Sequence, residues 1–129
     1  MMDEKPRVGF TKRKFDLSDR TAAYGEPVIR FARRVRLDAV SSPLVRQLVR
    51  SATSLGANYG EADEAGSKKE FRYRISLCCR ESRECKHWLR MLSVACPNSK
   101  DDARPLWSEA SELTRIFAAI HRKSKPKPK

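Results

Sequence analysis

SATSLGANYGEADEAGSKKEFRYR, residues 51–74, joins two helical patterns through a short turn and decides the fold. The first pattern ends in small residues that include Gly56 and Gly60, four positions apart on one helix face. The second starts at Ser67, which with Glu70 has the spacing of a capping box, where each side chain satisfies a free backbone amide of the other residue. A helix end followed at once by a helix start predicts two antiparallel neighbours.

Helical periodicity continues on both sides of this stretch. Apolar residues recur every three or four positions in four segments, residues 17–35, 45–59, 71–92 and 106–120. No segment shows the alternation of a half-buried strand or the signature of a tight hairpin. Four amphipathic helices with short links predict an all-α fold, an antiparallel up-down-up-down four-helix bundle.

The domain limits follow from the same pattern. The bundle is predicted to span residues 15–121, between a flexible basic N-terminal arm (1–14) and a disordered tail rich in lysine and proline (122–129). Ser42, followed by a proline, is predicted as the N-cap of the second helix.

The composition is strongly basic. Lys and Arg number 28 against 16 Asp and Glu, which gives a formal net charge of +12 and favours an anionic partner such as nucleic acid. No apolar run approaches the roughly 18 residues of a membrane span, and the N-terminus lacks the apolar core of a secretory signal. We therefore expect a cytoplasmic protein without a membrane partner.

Charges are segregated in the third helix. Projected at about 100° per residue, its basic residues lie nearly opposite the apolar seam, while the acids Glu81 and Glu84 lie on another flank. Such an acid-free side can bind phosphates, but it is also compatible with a solvated face. This basic stripe consists of Lys69, Arg72, Ser76, Arg80, Arg83, His87 and Arg90, and Arg30, Arg33 and Arg34 on the first helix are predicted to extend it.

Two large apolar residues, Leu77 and Trp88, lie on the flank with the acids and outside the main seam. A tryptophan beside a leucine and charged residues is typical of a subunit contact. The alternative is a wide core that takes in Trp88 against the fourth helix. We interpret the pair as an oligomer interface.

The sequence contains no catalytic constellation. Its two histidines assemble no Ser-His-Asp or Cys-His set, and there is no phosphate-binding loop. The four cysteines include no Cys-x-x-Cys pair, so we interpret them as small buried hydrophobic residues. Asp63 and Glu64 near the turn are interpreted as solvated residues and not as metal ligands. We expect no enzymatic activity, no metal and no cofactor.

Three motifs carry a family resemblance: VRQLVRSA (45–52), GANYGE (56–61) and SKKEF (67–71). They resemble the four-helix-bundle family also called the 23S rRNA intervening sequence proteins, over about residues 15–121. Asn58 and Glu61 match the family's Asn and Glu. The chain departs from the pattern at Tyr59-Gly60, where Ile-Ala is usual, and at the residue after Glu61.

The resemblance implies a bundle that assembles into a ring-like pentamer with a basic surface. A related branch, the accessory proteins of diversity-generating retroelements, works with a reverse transcriptase and binds nucleic acid. From the charge pattern and the resemblance together, we expect a non-enzymatic homo-oligomer that binds RNA or DNA. RNA or a nucleoprotein complex is the favoured ligand. The alternative is a scaffold that docks an acidic partner or a reverse-transcriptase-like enzyme without contacting nucleic acid.

The quoted motif is interpreted as an architectural joint and not as an active site. Two glycines on one face allow a neighbouring helix to approach closely, and an asparagine near a helix end can hydrogen-bond to the backbone or to a partner helix. The residues assigned to this joint are Gly56, Asn58, Gly60, Glu61, Ser67 and Glu70.

Overall fold

A computed structural model describes residues 16–126 of the chain. It contains four helices, α1 (Leu17–Arg34), α2 (Ser41–Asp63), α3 (Lys68–Ala95) and α4 (Lys100–Lys123). A short 3-10 turn separates α3 from α4. The prediction of an all-α four-helix bundle is confirmed.

The order of packing places the helices in a ring. Helix α3 packs between α2 and α4, whereas α1 packs against α2 and, over a smaller area, against α4. Helices α1 and α3 are therefore diagonal to each other. Within residues 16–126, three hydrogen bonds between side chains of α1 and residues of α4 join these two helices. Arg20 forms two bonds to the carboxylate of Glu109, at 2.7 and 3.0 Å, and the Tyr24 hydroxyl donates to the carbonyl of Leu106 at 2.9 Å.

The core runs along the seams that the periodicity predicts. Phe31, Leu55, Leu89 and Phe117 are almost completely buried, one from each helix. The central cysteines share this core, since Cys78 and Cys85 are 0% exposed. Burial raises the pKa of each of these two thiols to about 12, so both are neutral near pH 7 and act as small apolar side chains.

The glycines of the quoted stretch differ in their surroundings. A Cβ atom on Gly56 would lie 3.4 Å from the Ala22 Cα and 3.4 Å from the Thr21 carbonyl oxygen, so α1 and α2 approach closely there. A Cβ atom on Gly60 would meet nothing within 4 Å. The expectation of a close approach is therefore wrong for Gly60, because this position of α2 is exposed and faces no neighbouring helix.

The starts of α2 and α3 are capped by different side chains. The Ser67 hydroxyl accepts from the Glu70 amide at 3.1 Å, as one half of the capping box requires. At the start of α2, the Asp38 carboxylate accepts from the amides of Val40 and Ser41, both at 2.9 Å. These bonds lower the pKa of Asp38. The prediction of Ser42 as the N-cap is wrong, because Asp38 already satisfies the first amides.

The chain ends differ in how much of them is described. The predicted basic arm (1–14) lies outside the described residues. Helix α4 continues through Lys123, two residues into the predicted tail (122–129), and residues 127–129 again lie outside the described part. None of the four helices is long and apolar enough to span a bilayer.

Candidate nucleic-acid interface

The basic stripe forms an accessible band along α3. Arg72 and Ser76 are half-buried, and the other five residues, Lys69, Arg80, Arg83, His87 and Arg90, are exposed. The rise of about 1.5 Å per residue gives the stripe a length of about 30 Å. Within residues 16–126, none of its basic side chains forms an ion pair with a carboxylate. The stripe therefore presents cations without ion-pair partners over a length that could contact several phosphates.

An aromatic side chain borders the stripe from α4. The Lys86 ammonium nitrogen lies 5.0 Å from the centre of the Trp107 ring, and Trp107 is 41% exposed. Neither residue is predicted from the charge pattern of α3, because Lys86 falls on the edge that faces α4. The sequence places Trp107 seven residues before Thr114, on the same face of α4. That face packs on α3, where the Thr114 hydroxyl donates to the Ser82 hydroxyl. The contact adds an aromatic surface next to the cations.

The arginines of α1 lie apart from this band. Arg30, Arg33 and Arg34 are all exposed, but their helix is diagonal to α3. Arg34 also lies 3.8 Å from the carboxylate of Asp102, at the start of α4. The prediction that these three residues extend the stripe is wrong for a single chain, because the outward faces of diagonal helices point in opposite directions.

The opposite edge of α3, which borders α2, carries buried polar atoms without partners. We name it the α3 flank, and it consists of Arg74, Leu77, Glu81, Glu84 and Trp88. Within residues 16–126, no hydrogen bond reaches three of its buried atoms, the Arg74 Nε, a Glu81 carboxylate oxygen and the Trp88 Nε1. These atoms follow one another at seven-residue intervals along one helix face. A buried polar group without a hydrogen-bond partner lowers the stability of the fold.

The two large apolar residues of the α3 flank are placed differently from each other. Both residues are half-buried, but Trp88 packs against the core cluster and Leu77 is not part of that contact. The His87 ring meets the Trp88 ring edge-on, with 4.6 Å between the centres. Trp88 therefore contributes to the core of its own chain, while part of its surface remains available to a neighbour.

Two carboxylates meet on the same flank. Glu81 is only 5% exposed, and the nearby Ser51 hydroxyl on α2 donates to Glu84 at 3.2 Å. Burial, reinforced by the negative charge of Glu84, raises the pKa of Glu81. The uncharged form of Glu81 is thus favoured by folding.

Comparison with known proteins places this bundle in a family. A family model described as the 23S rRNA-intervening sequence protein matches residues 16–119, which is nearly all of the described chain. The chain belongs to the 23S rRNA-intervening sequence protein family. Among curated proteins, none matches the sequence significantly.

A solved structure supports the same fold. It is a protein with unknown function from the S23 ribosomal protein family of Bacteroides thetaiotaomicron VPI-5482. Its chain is 19% identical in sequence, and the superposition covers 81% of this chain and 97% of that chain with a TM-score of 0.72. At this level of identity, the likeness concerns the fold.

In this member of the 23S rRNA-intervening sequence protein family, the motif asparagine links two helices. The Asn58 amide nitrogen donates to the Ser54 carbonyl at 3.0 Å, and its oxygen accepts from Arg74 on α3 at 3.2 Å. Glu61 and Glu70 are exposed. The motif thus serves the packing of α2 on α3.

The part of the chain that the structure describes contains no metal-binding cluster. Across residues 16–126, no three or more His, Cys, Asp or Glu side chains come together in a way that could hold a metal ion. Asp63 and Glu64 are exposed at the end of α2. The main chemical feature of the described surface is its distribution of charge.

Proposed function

We propose that this protein is a non-enzymatic, basic, homo-oligomeric bundle of the cytoplasm that binds nucleic acid, RNA or an RNA-containing complex, through the basic stripe. The observation that carries the proposal is the run of cations along α3 without a carboxylate partner in residues 16–126. The net charge of +12 supports it, and the family's name refers to an intervening sequence of 23S rRNA.

The physical basis is the release of counterions from a polyanion. Each lysine or arginine that neutralises a phosphate frees a condensed cation, so binding is strongest at low salt. Contacts from lysine and arginine to phosphates carry no sequence information by themselves. We therefore propose affinity for nucleic acid with little sequence preference.

Charge reversal on α3 tests the proposal against a matched control. Arg80→Glu with Arg83→Glu lowers the net charge by four, as does Arg30→Glu with Arg33→Glu on the diagonal helix. Fluorescence anisotropy at low salt with a labelled RNA should show a loss of affinity of at least about tenfold for the α3 pair, as two phosphate contacts are replaced by repulsion. Equal losses in both variants would contradict a localised site.

A second candidate is a scaffold that docks an acidic protein or a reverse-transcriptase-like enzyme. The same cations favour it, because an acidic protein surface also complements the stripe. The two candidates differ in their response to naked RNA. A scaffold would leave RNA binding undetectable at low salt, while the α3 charge reversal would abolish capture of the protein partner.

Assembly is proposed to use the α3 flank. The half-buried Leu77 and Trp88, which lie beside charged residues on this flank, are the surface that a neighbouring subunit would cover. The pentamer implied by the family resemblance is the proposed oligomer. In such a ring, the basic stripe lies outside the contact, since it occupies the other edge of α3.

A further inference from the structure

A cleft opens where the α2–α3 turn meets the end of α4. Its volume is about 1590 Å³, and it is lined by the turn, the beginning of α3 and residues 121–126. We name it the end cleft. Among the described residues that line it, five are lysine or arginine and none is aspartate or glutamate. The five cations are Lys68, Lys69, Arg72, Lys123 and Lys125.

Positive groups are crowded in the end cleft. Arg72 has a buried Nε that forms no hydrogen bond within residues 16–126. Partial burial, together with the positive charges of Arg72 and Lys125, lowers the pKa of His121, which also lines the cleft. Arg72 as a whole is half-buried, and a phosphate oxygen is a strong acceptor for the N–H groups of a guanidinium. The cleft is thus chemically suited to an anion.

An exposed aromatic ring stands in the same wall. Tyr73 lines the end cleft and is 57% exposed, and the Arg74 guanidinium carbon lies 5.7 Å from the centre of its ring. Cations that follow a phosphate backbone, combined with a ring on which a base stacks, are the usual means of holding single-stranded nucleic acid. A duplex keeps its bases stacked inside and does not offer them to such a ring.

We propose that the end cleft binds an unpaired nucleotide of a single-stranded nucleic acid, with its phosphate on Arg72 and the neighbouring lysines and its base against Tyr73. This inference rests on the proposed function, because Lys69 and Arg72 belong to both the stripe and the cleft. A strand that follows the stripe reaches the cleft at the N-terminal end of α3.

Substitution of Tyr73 tests the inference. Stacking of one base is worth about 1–3 kcal/mol by alanine substitution, so Tyr73→Ala should weaken binding to short labelled oligouridine or oligothymidine strands by about 5- to 150-fold. Tyr73→Phe should bind like the unmodified protein, because the ring remains. A labelled duplex of the same length should bind all three proteins equally. Circular dichroism checks that the substitutions at this exposed position leave the bundle folded.

The outcomes separate this inference from the function on which it rests. Suppose that Tyr73→Ala leaves single-strand affinity unchanged while charge reversal of Arg80 and Arg83 still weakens binding. This result would overturn nucleotide binding in the end cleft and leave the proposed function standing. Equal losses for single strand and duplex would also overturn nucleotide binding in the end cleft. If the unmodified protein binds neither at low salt, both the proposed function and the cleft are overturned.

Discussion

The Arg74 guanidinium on α3 donates to the amide oxygen of Asn58 on α2 across 3.2 Å, and Asn58 in turn donates to the Ser54 carbonyl. This bridge fixes the register of the two helices at the turn that the quoted stretch encodes. It also provides a partner for an arginine whose Nε has none within residues 16–126. The motif asparagine therefore has a structural role that can be measured.

Asn58→Ala should lower the free energy of unfolding by about 1–3 kcal/mol, because a half-buried guanidinium loses its acceptor. Urea denaturation followed by circular dichroism measures the change. Asn98→Ala, at an exposed position in the turn before α4, is the matched control and should change stability by less than about 0.5 kcal/mol. Equal stability of the two variants would contradict the structural role.

The two glycines of α2 should respond differently to alanine. Gly60→Ala should raise the free energy of unfolding by up to about 1 kcal/mol, the gain in helix propensity, because its methyl group enters open space. Gly56→Ala should raise the free energy of unfolding by less, because its methyl group would lie only 3.4 Å from backbone atoms of α1. Thermal melts of both variants test this order, and a greater gain for Gly56→Ala would contradict it.

Local sequence patterns account for most of the bundle. The helical periods and the Ser67 cap are contained in neighbouring residues, so they can be predicted from the sequence. The N-cap of α2 could not, because a Ser-Pro pair signals a helix start at Ser42, whereas the Asp38 carboxylate takes up the first amides from further upstream. Both Ser42 and Asp38 are residue types that cap helices, and the helix begins at Ser41, as the bonds to Asp38 require.

The candidate site is less visible in the sequence. The stripe is a property of one helix and follows from its periodicity. The diagonal position of Arg33, the contact of Lys86 with Trp107 and the end cleft all depend on which helices are neighbours. Lys69 and Lys125, for example, are distant in sequence and share a wall only after α3 and α4 have packed.

Glu81→Gln should make stability less dependent on pH. Burial raises the pKa of Glu81 above its ordinary value of 4.5, so the folded protein binds more protons than the unfolded chain between 4.5 and the raised value. The stability of the unmodified protein therefore falls as the pH rises through that window. The glutamine variant should melt higher at neutral pH, and this advantage should vanish below the ordinary pKa.

The control for Glu81 is an exposed acid on the neighbouring helix. Glu61→Gln removes the same charge at an exposed site on α2 and should change stability at neutral pH by less than about 0.5 kcal/mol. Thermal melts across the acidic to neutral range compare the variants. If Glu81→Gln lowers the melting temperature at neutral pH, the carboxylate stabilises the fold in its charged form and the interpretation is wrong.

Leu77→Glu should separate the proposed oligomer into folded monomers. Leu77 is half-buried on the α3 flank, so a charge there disfavours a subunit contact while sparing the core. Trp88 is less suitable for this test, because it packs against the core of its own chain. Light scattering gives the mass, and circular dichroism gives the helix content.

Val94→Glu is the matched control for assembly. Val94 is 73% exposed near the end of the same helix and lies outside the α3 flank. This variant should retain the mass of the unmodified oligomer. A monomeric unmodified protein would contradict the proposed oligomer. A Leu77→Glu variant with unchanged mass would show that the subunit contact does not use this flank.

The salt dependence of RNA binding tests the role of the basic stripe most directly. For single strands, the logarithm of the association constant should fall linearly with the logarithm of salt concentration, by about 0.7 per phosphate contact. Arg80→Glu with Arg83→Glu should reduce this slope by about 1.4, the value of two contacts, while Arg30→Glu with Arg33→Glu leaves it unchanged. Absence of RNA binding at low salt, or equal slopes in the two variants, would contradict binding through α3.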